Sequence, residues 1–261
     1  MPNWVKNRLT ITGKNAKKII KTLLTKDELE PNRKTFDFNK ITPMPKSLDI
    51  EAGSLTNTCI ELYMTYLNPM VDYYGKDKMD INKFLKIKNT LNSQRPLFPY
   101  DFQYTPTKIQ QVIKNLAKYY KHNHAEKAAL ELGKIAIDNV SAYGYKDWYD
   151  WSIANWGTKW NACDTAIKGN VIEFNTAWSP VPKIVEKLSI LYPDLQIEYL
   201  YAEEQMGVST GHFIFKNGQA CGQAYEDYDV KAYETSCELW GETKRDKFDR
   251  QQRKDDIELE K

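Results

Sequence analysis

Histidine and cysteine are both scarce in this chain of 261 residues: three of the former and four of the latter. That leaves few ways to assemble a metal centre or a nucleophilic triad. Cys59, Cys163, Cys221 and Cys237 are widely scattered, and no pair has C-x-x-C spacing. A zinc ribbon, a dithiol redox motif and an iron–sulfur ligand run are thereby excluded, and free thiols in a reducing cytoplasm fit the pattern. P-loop, G-x-G-x-x-G, H-E-x-x-H and G-x-S-x-G signatures are missing too, which removes the common catalytic frameworks. Nowhere does an apolar run approach the roughly 20 residues of a membrane span. The opening MPNWVKNRLTITG reads as a strand without a signal-peptide apolar stretch, so the protein is expected to stay in the compartment where it is made.

Aromatic residues are abundant by contrast. Seventeen Tyr, nine Phe and seven Trp sit within a hydrophobic fraction of 41%, ample for a packed core. Net charge is only +2 but is unevenly placed. Residues 1–34 carry nine basic groups against three acids, and residues 194–242 carry ten acids against two lysines. Such ends either face solvent and each other or form a bipolar surface that selects a charged partner.

Periodicity gives the fold class. Val5, Asn7, Leu9 and Ile11 alternate with Trp4, Lys6, Arg8 and Thr10, which predicts a strand with two distinct faces. After Gly13, the residues Ala16, Ile19, Ile20, Leu23 and Leu24 share one helical stripe. Phe36, Phe38 and Ile41 suggest a second strand, stopped by Pro43–Met44–Pro45. The rhythm returns at 171–178, where Ile172, Phe174, Thr176 and Trp178 line one side of a strand. Ser179 then reads as an N-cap with Pro180 at the first helical position. A stripe of Val181, Ile184, Val185, Leu188 and Leu191 follows, and then a strand alternating Leu195, Ile197, Tyr199 and Tyr201. Asn217–Gly218 between 208–215 and 220–225 is a strong hairpin signal.

These features predict an α+β protein: a split ferredoxin-like (βαβ–βαβ) antiparallel sheet over 1–45 and 148–241, with helices on one face. Residues 46–147 form a large, mostly helical insertion in this reading. Within it a helix from Thr105–Pro106 with the stripe Ile109, Val112, Ile113, Leu116 and Tyr120 pairs with a second running to about Ile137. Residues 50–100 read as short helices and irregular connections. The stretch 242–261 balances seven basic residues against seven acidic ones, as a mixed-charge helix or tail does.

Four of the seven tryptophans fall in the segment WYDWSIANWGTKW from Trp148 to Trp160, and Trp178 stands on the next strand. Exposed indoles are costly, and buried ones want a partner for the N–H. The segment is therefore either a structural clamp or a stacking surface. In the second case Asn155, Trp156, Lys159, Trp160, Asn161 and Trp178 are the candidate ligand or partner contacts. Trp4, Lys6 and Arg8 on one face of the first strand, with Lys108, Lys114, Lys118 and Lys121 on the insertion, are candidate nucleic-acid or partner contacts.

Catalytic alternatives are thin. His122-x-His124 with Glu126 reads better as a surface turn than as a metal site. Glu203 and Glu204 are adjacent, so in a strand they point to opposite faces and cannot share a proton. Cys163 has no histidine near it in sequence; a pairing with His212 would have to come from the fold, and a satisfied core cysteine is the favoured reading. No metal and no cofactor is expected.

Four motifs occur in order: MPNWVKNRLTITG, FDFNKITPMP, NWGTKWNA and FNTAWSP. Together they resemble the YubB-type ferredoxin-like family of bacteriophage and plasmid proteins, over about residues 1–45 and 148–216. The family name describes a fold shape and implies no iron–sulfur cluster, and no catalytic residue carries over from it. Two departures are visible: Val5 stands where relatives often have Cys, and Glu203–Gly207 replaces a Glu-Pro-Gly turn. The resemblance implies a non-catalytic mobile-element accessory protein in the host bacterial cytoplasm. Its expected partner is a host protein or ribonucleoprotein complex, with an anti-CRISPR or other anti-defence role as one version. Direct nucleic-acid binding, and a small-ligand or enzyme site at the tryptophan segment, are the alternatives.

Overall fold

The computed structural model describes residues 2–26, 33–66, 86, 89 and 125–241. From the N-terminus, β1 (Trp4–Thr12) leads into α1 (Ala16–Thr22) and then the short strands β2 (Leu24–Lys26) and β3 (Lys34–Phe36). Helices α2 (Ser54–Tyr66), α3 (Ala125–Tyr143) and α4 (Trp148–Asn155) follow. Next come β4 (Cys163–Lys168), β5 (Val171–Ala177), α5 (Pro182–Leu191) and β6 (Gln196–Glu203). The chain continues through β7 (Thr210–Lys216) and β8 (Gln219–Ala224) to α6 (Val230–Trp240). Two compact units divide it: residues through Pro43 with those from Ser152 onward, and Met44–Trp151.

The first unit is built on a six-stranded sheet in the order β4-β5-β1-β6-β7-β8, every neighbouring pair antiparallel. Strands β4, β5, β1 and β6 with α1 and α5 make the ferredoxin-like plait, and β7–β8 extends it at one side. Alternation places β1 at the centre. Val5, Asn7, Leu9 and Ile11 are buried on one face, while Trp4, Lys6, Arg8 and Thr10 lie half-buried on the other. Hydrogen bonding holds the one polar member of the buried set in place. Asn7 Nδ2 donates to Thr176 Oγ1 at 2.9 Å, and the Tyr199 hydroxyl donates to Asn7 Oδ1 at 2.6 Å. That hydroxyl also accepts from Val181 N at 2.9 Å, tying α5 to the sheet.

Several expectations need correcting. Phe36, Phe38 and Ile41 do not form the second strand of the plait. The strand there covers Lys34–Phe36 alone, and it pairs with Leu24–Lys26 in a separate two-stranded sheet. Asp37 turns the chain there, its Oδ1 accepting from Asn39 N at 3.0 Å. Phe36 and Phe38 then plug against Phe174, with ring centroids 5.0 and 5.8 Å away. The strand that fills the expected place is β4, beyond the inserted unit.

The start of α5 is displaced as well. Its N-cap is Val181 rather than Ser179, and the proline in the first turn is Pro182 rather than Pro180. Ser179 instead uses its carbonyl to accept from Thr176 Oγ1 at 2.8 Å. Trp178 leaves the strand face because its φ of 65° ends β5 at Ala177. Helices also lie on more than one face. Leu200 and Ala202 are buried opposite Tyr199, so that side needs an apolar cover as well. Helix α6 supplies it through Leu239 and Trp240.

The hairpin is as the sequence predicts, with Asn217 and Gly218 at φ of 47° and 77° between β7 and β8. Both central residues at positive φ is the signature of a two-residue type I′ turn.

The second unit pairs α2 with α3. Ile60 and Met64 pack on Ala136, Ile137 and Val140, and Cys59 and Leu62 on Ala129 and Leu132. Gly133 permits the approach: a Cβ there would meet Cys59 O at 2.2 Å. Burial, with the charge of Glu51, pushes the Cys59 thiol up to about 12, so it is an inert core group. Helix α3 runs past Ile137 to Tyr143, since Val140 continues its buried stripe. The expected helix at 105–120, the residues Lys108, Lys114, Lys118, Lys121, His122 and His124, and the stretch 242–261 lie outside the described residues. Among the described residues, no helix is long and apolar enough to cross a membrane.

Candidate functional site

The tryptophan segment separates into a buried part and an exposed part. Trp156 is only 4% exposed and meets Phe38 edge-on, with centroids 5.8 Å apart. Its indole N–H donates to Thr42 O at 2.9 Å. Asn161 works beside it: Oδ1 accepts from Phe38 N at 2.9 Å, and Nδ2 donates to Asp37 Oδ1 at 2.7 Å. Both side chains thus pin residues 37–42 against β5 and are occupied in doing so. Asn155 closes α4 and is half-buried.

Lys159, Trp160 and Trp178 go the other way, and Trp4 joins them. Trp160 and Trp178 are 37% and 46% exposed, and their rings stack with centroids 6.2 Å apart at 26°. Trp4, at the start of β1, packs at a tilt against Trp160, with centroids 6.4 Å apart and an interplanar angle of 39°. The ammonium of Lys159 lies 4.5 Å from the Trp160 centroid and 5.0 Å from that of Trp178, within cation–π range.

Local structure explains why these rings meet. Thr158 Oγ1 donates to Ala177 O at 2.8 Å, anchoring the loop that carries Lys159 and Trp160 to the end of β5. Trp178 N donates to Asn3 O at 2.8 Å, which sets Trp178 beside the start of β1. The left-handed backbone at Trp178 is an outlier for a bulky residue, and such strain costs on the order of 1–3 kcal/mol. The surrounding bonds hold an indole outward at that cost.

Further along the same face, the basic groups are already engaged. Lys6 Nζ lies 4.3 Å from the Trp240 centroid and donates to Leu239 O at 3.1 Å, at the C-terminal end of α6. Arg8 Nε pairs with Glu173 at 2.6 Å, and Nη1 pairs with Glu238. The helix that supplies Glu238 and Trp240 was not legible in the sequence, and it alters what this face offers. Beyond Arg8 a groove of about 820 Å³ opens between α6 and strands β4, β5 and β6. Lys168 and Lys231 line it together with Glu173, Glu198, Glu234 and Glu238, and His212 Nε2 sits 3.0 Å from Glu198 Oε1. A lining of both signs is a poor match for a run of phosphates.

Cys163 is not poised as a nucleophile. Burial, then the charge of Asp164, raises its pKa against a smaller opposing effect of Arg33. Its Sγ donates to Asn161 O at 3.5 Å. Glu203 ends β6, with Asn3 Nδ2 donating to its Oε1 at 2.7 Å. Among the described residues, no group of three or more His, Cys, Asp or Glu side chains is placed to hold a metal ion.

Comparison with known proteins bears on the scaffold. Residues 155–244 match the family model described as the ferredoxin-like domain in Api92-like protein. The matched segment runs from the end of α4 past α6, and β1 completes its sheet from the far end of the sequence. No curated protein matches the chain. Among solved structures it is similar to the protein api92 from Yersinia pseudotuberculosis, at 12% identity and a TM-score of 0.36. That similarity covers 87% of this chain and 99% of the other.

Proposed function

We propose that this chain is a non-catalytic binding protein that docks on a host macromolecule through the platform of Trp4, Lys159, Trp160 and Trp178. The observation that carries the proposal is the pair of exposed, stacked indoles at Trp160 and Trp178 with a lysine over both rings. Tryptophan and cationic side chains on a pre-formed surface are what binding hot spots are made of, because large rigid rings bury much area at little entropic cost. The strained backbone at Trp178 supports the same reading.

A protein partner is favoured over nucleic acid. Glu203 ends the strand beside Trp4, Glu204 follows it with its N–H donating to Trp4 O at 2.8 Å, and Lys6 and Arg8 are engaged internally. The four motifs that resemble YubB-type proteins suggest a mobile-element accessory role, and a host anti-invader complex is the concrete target we have in mind. The proposal requires no cofactor and no reaction.

The test is capture from a bacterial lysate by the full chain, the Trp160→Ala/Trp178→Ala variant and Lys159→Glu. A stoichiometric protein should be retained by the parent and reduced at least about tenfold by the double variant, with thermal melting lowered by no more than roughly a few degrees. Equal retention by the double variant would overturn the assignment of the platform. Single-strand binding remains the second reading, because stacked rings beside a lysine also suit bases. It predicts that a labelled oligonucleotide binds at low salt and is released steeply as salt rises.

A further inference from the structure

The sheet has two edges, and they are built differently. At one edge, β4 carries a register shift between Cys163 and Ala166 and ends in Lys168. Phe36 N donates to Thr165 Oγ1 at 3.0 Å there, and Arg33 pairs with Asp164. Bulges, charges and covering segments are the usual guards against unwanted strand pairing. The other edge, β8, has no charge and no covering segment among the described residues, and its one backbone irregularity is Gly222, whose φ of 131° departs from extended strand. Its sequence QACGQA lacks charge and proline, its pairing with β7 is free of register shifts, and all six residues are exposed.

The outward side of β8 can be read from the hairpin. A two-residue turn makes Lys216 and Gln219 a hydrogen-bonded pair, and the series alternates from there. Tyr225 N donates to Thr210 O at 3.0 Å, in phase with that series. Gln219, Cys221 and Gln223 therefore direct their backbone groups to β7. Ala220, Gly222 and Ala224 direct theirs outward, and these are the smallest side chains available.

We infer that β8 is a pairing edge for a second copy of this chain, two β8 strands joining antiparallel about a two-fold axis at Gly222. Ala220 of each copy then faces Ala224 of the other, and Cys221 faces Gln223. Two features favour a second copy over an unrelated peptide. An uncharged strand paired with itself sets no like charges opposite each other. The ends are also complementary: exposed Glu226 follows β8, while exposed Lys216, the last residue of β7, flanks its beginning. Asp227 is already engaged, its Oδ1 accepting from Ser209 N at 2.9 Å. Antiparallel self-pairing brings the acidic end of each copy to the lysine end of the other, as an isologous contact requires. This surface is independent of the tryptophan platform.

Sedimentation velocity of the full chain tests it. A short strand pair predicts a weak dimer, with mass rising toward twice the monomer as concentration passes through the order of 10–100 µM. Ala220→Pro removes an outward N–H that β7 does not use, and should leave a monomer throughout. Cys221→Lys/Gln223→Lys sets lysines opposite lysines across the axis and should do the same with unchanged melting, which keeps the test decisive if the proline variant folds poorly. A parent chain that is monomeric at every concentration, or a dimer that survives the lysine variant, would overturn the inference.

Discussion

Trp156→Ala is expected to destabilise the ferredoxin-like unit by about 3–5 kcal/mol, whereas Trp160→Ala should cost under about 1 kcal/mol. The two indoles belong to one short segment, and their surroundings set the difference. Trp156 is 4% exposed, packs on Phe38 and donates to Thr42 O. Truncating it opens a cavity and strips a buried carbonyl of its donor, and both losses act in the same direction. Trp160 is already 37% exposed and gives up mainly ring–ring and cation–π contacts that water partly replaces. Denaturant unfolding followed by circular dichroism separates the two outcomes. A large loss for Trp160→Ala would make that ring structural and remove the reason to treat it as a contact surface.

Tyr199→Phe carries the second large effect, a loss of about 2–4 kcal/mol. Its hydroxyl donates to Asn7 Oδ1 and accepts from Val181 N, so its removal leaves two buried polar groups without partners. Neither group can reach water, since Asn7 and Val181 are both 0% exposed. The same hydroxyl makes a pH prediction. Burial holds the Tyr199 phenol well above its ordinary value of 10.0, so the folded state favours the neutral form. A raised folded value contributes stability that is fully present below the unfolded pKa. That contribution declines as pH climbs from about 10 toward the folded value. The parent chain should therefore lose more stability above pH ~10 than Tyr199→Phe does, while Tyr201, also raised by burial, titrates in both. Parallel losses in the two chains would show that the Tyr199 phenol is not desolvated as described.

How much of this was legible in the sequence depended on how local the determining contacts are. The central strand was legible because Val5, Asn7, Leu9 and Ile11 alternate strictly with half-buried neighbours. The β7–β8 turn was legible because Asn217–Gly218 suffices to specify it. Strand β4 was not: CDTAIK is a bulged edge strand with one buried residue, and period-two patterning has little to grip there. Helix α6 hid for a different reason. Its buried stripe includes Thr235 and Ser236 beside Ala232, Tyr233 and Leu239, and it lies in the most acidic stretch of the chain.

The tryptophan segment shows the same limit at the site itself. Sequence density marked it, but whether each ring points in or out is decided by Phe38, Thr42 and Ala177, which are distant in the chain. The meeting of Trp4 with Trp160 could not be read from spacing, since it takes the β1–β5 pairing and the Thr158 anchor on Ala177 to bring them together.

The measurement that tests the central claim most directly is a hydrogen-exchange footprint of the protein with its captured partner bound. Slowed exchange should fall on residues 3–5, 157–161 and 176–179, the three stretches that carry the indole platform. Protection confined to other parts of the chain, with those three unchanged, would contradict the claim that the platform is the contact surface.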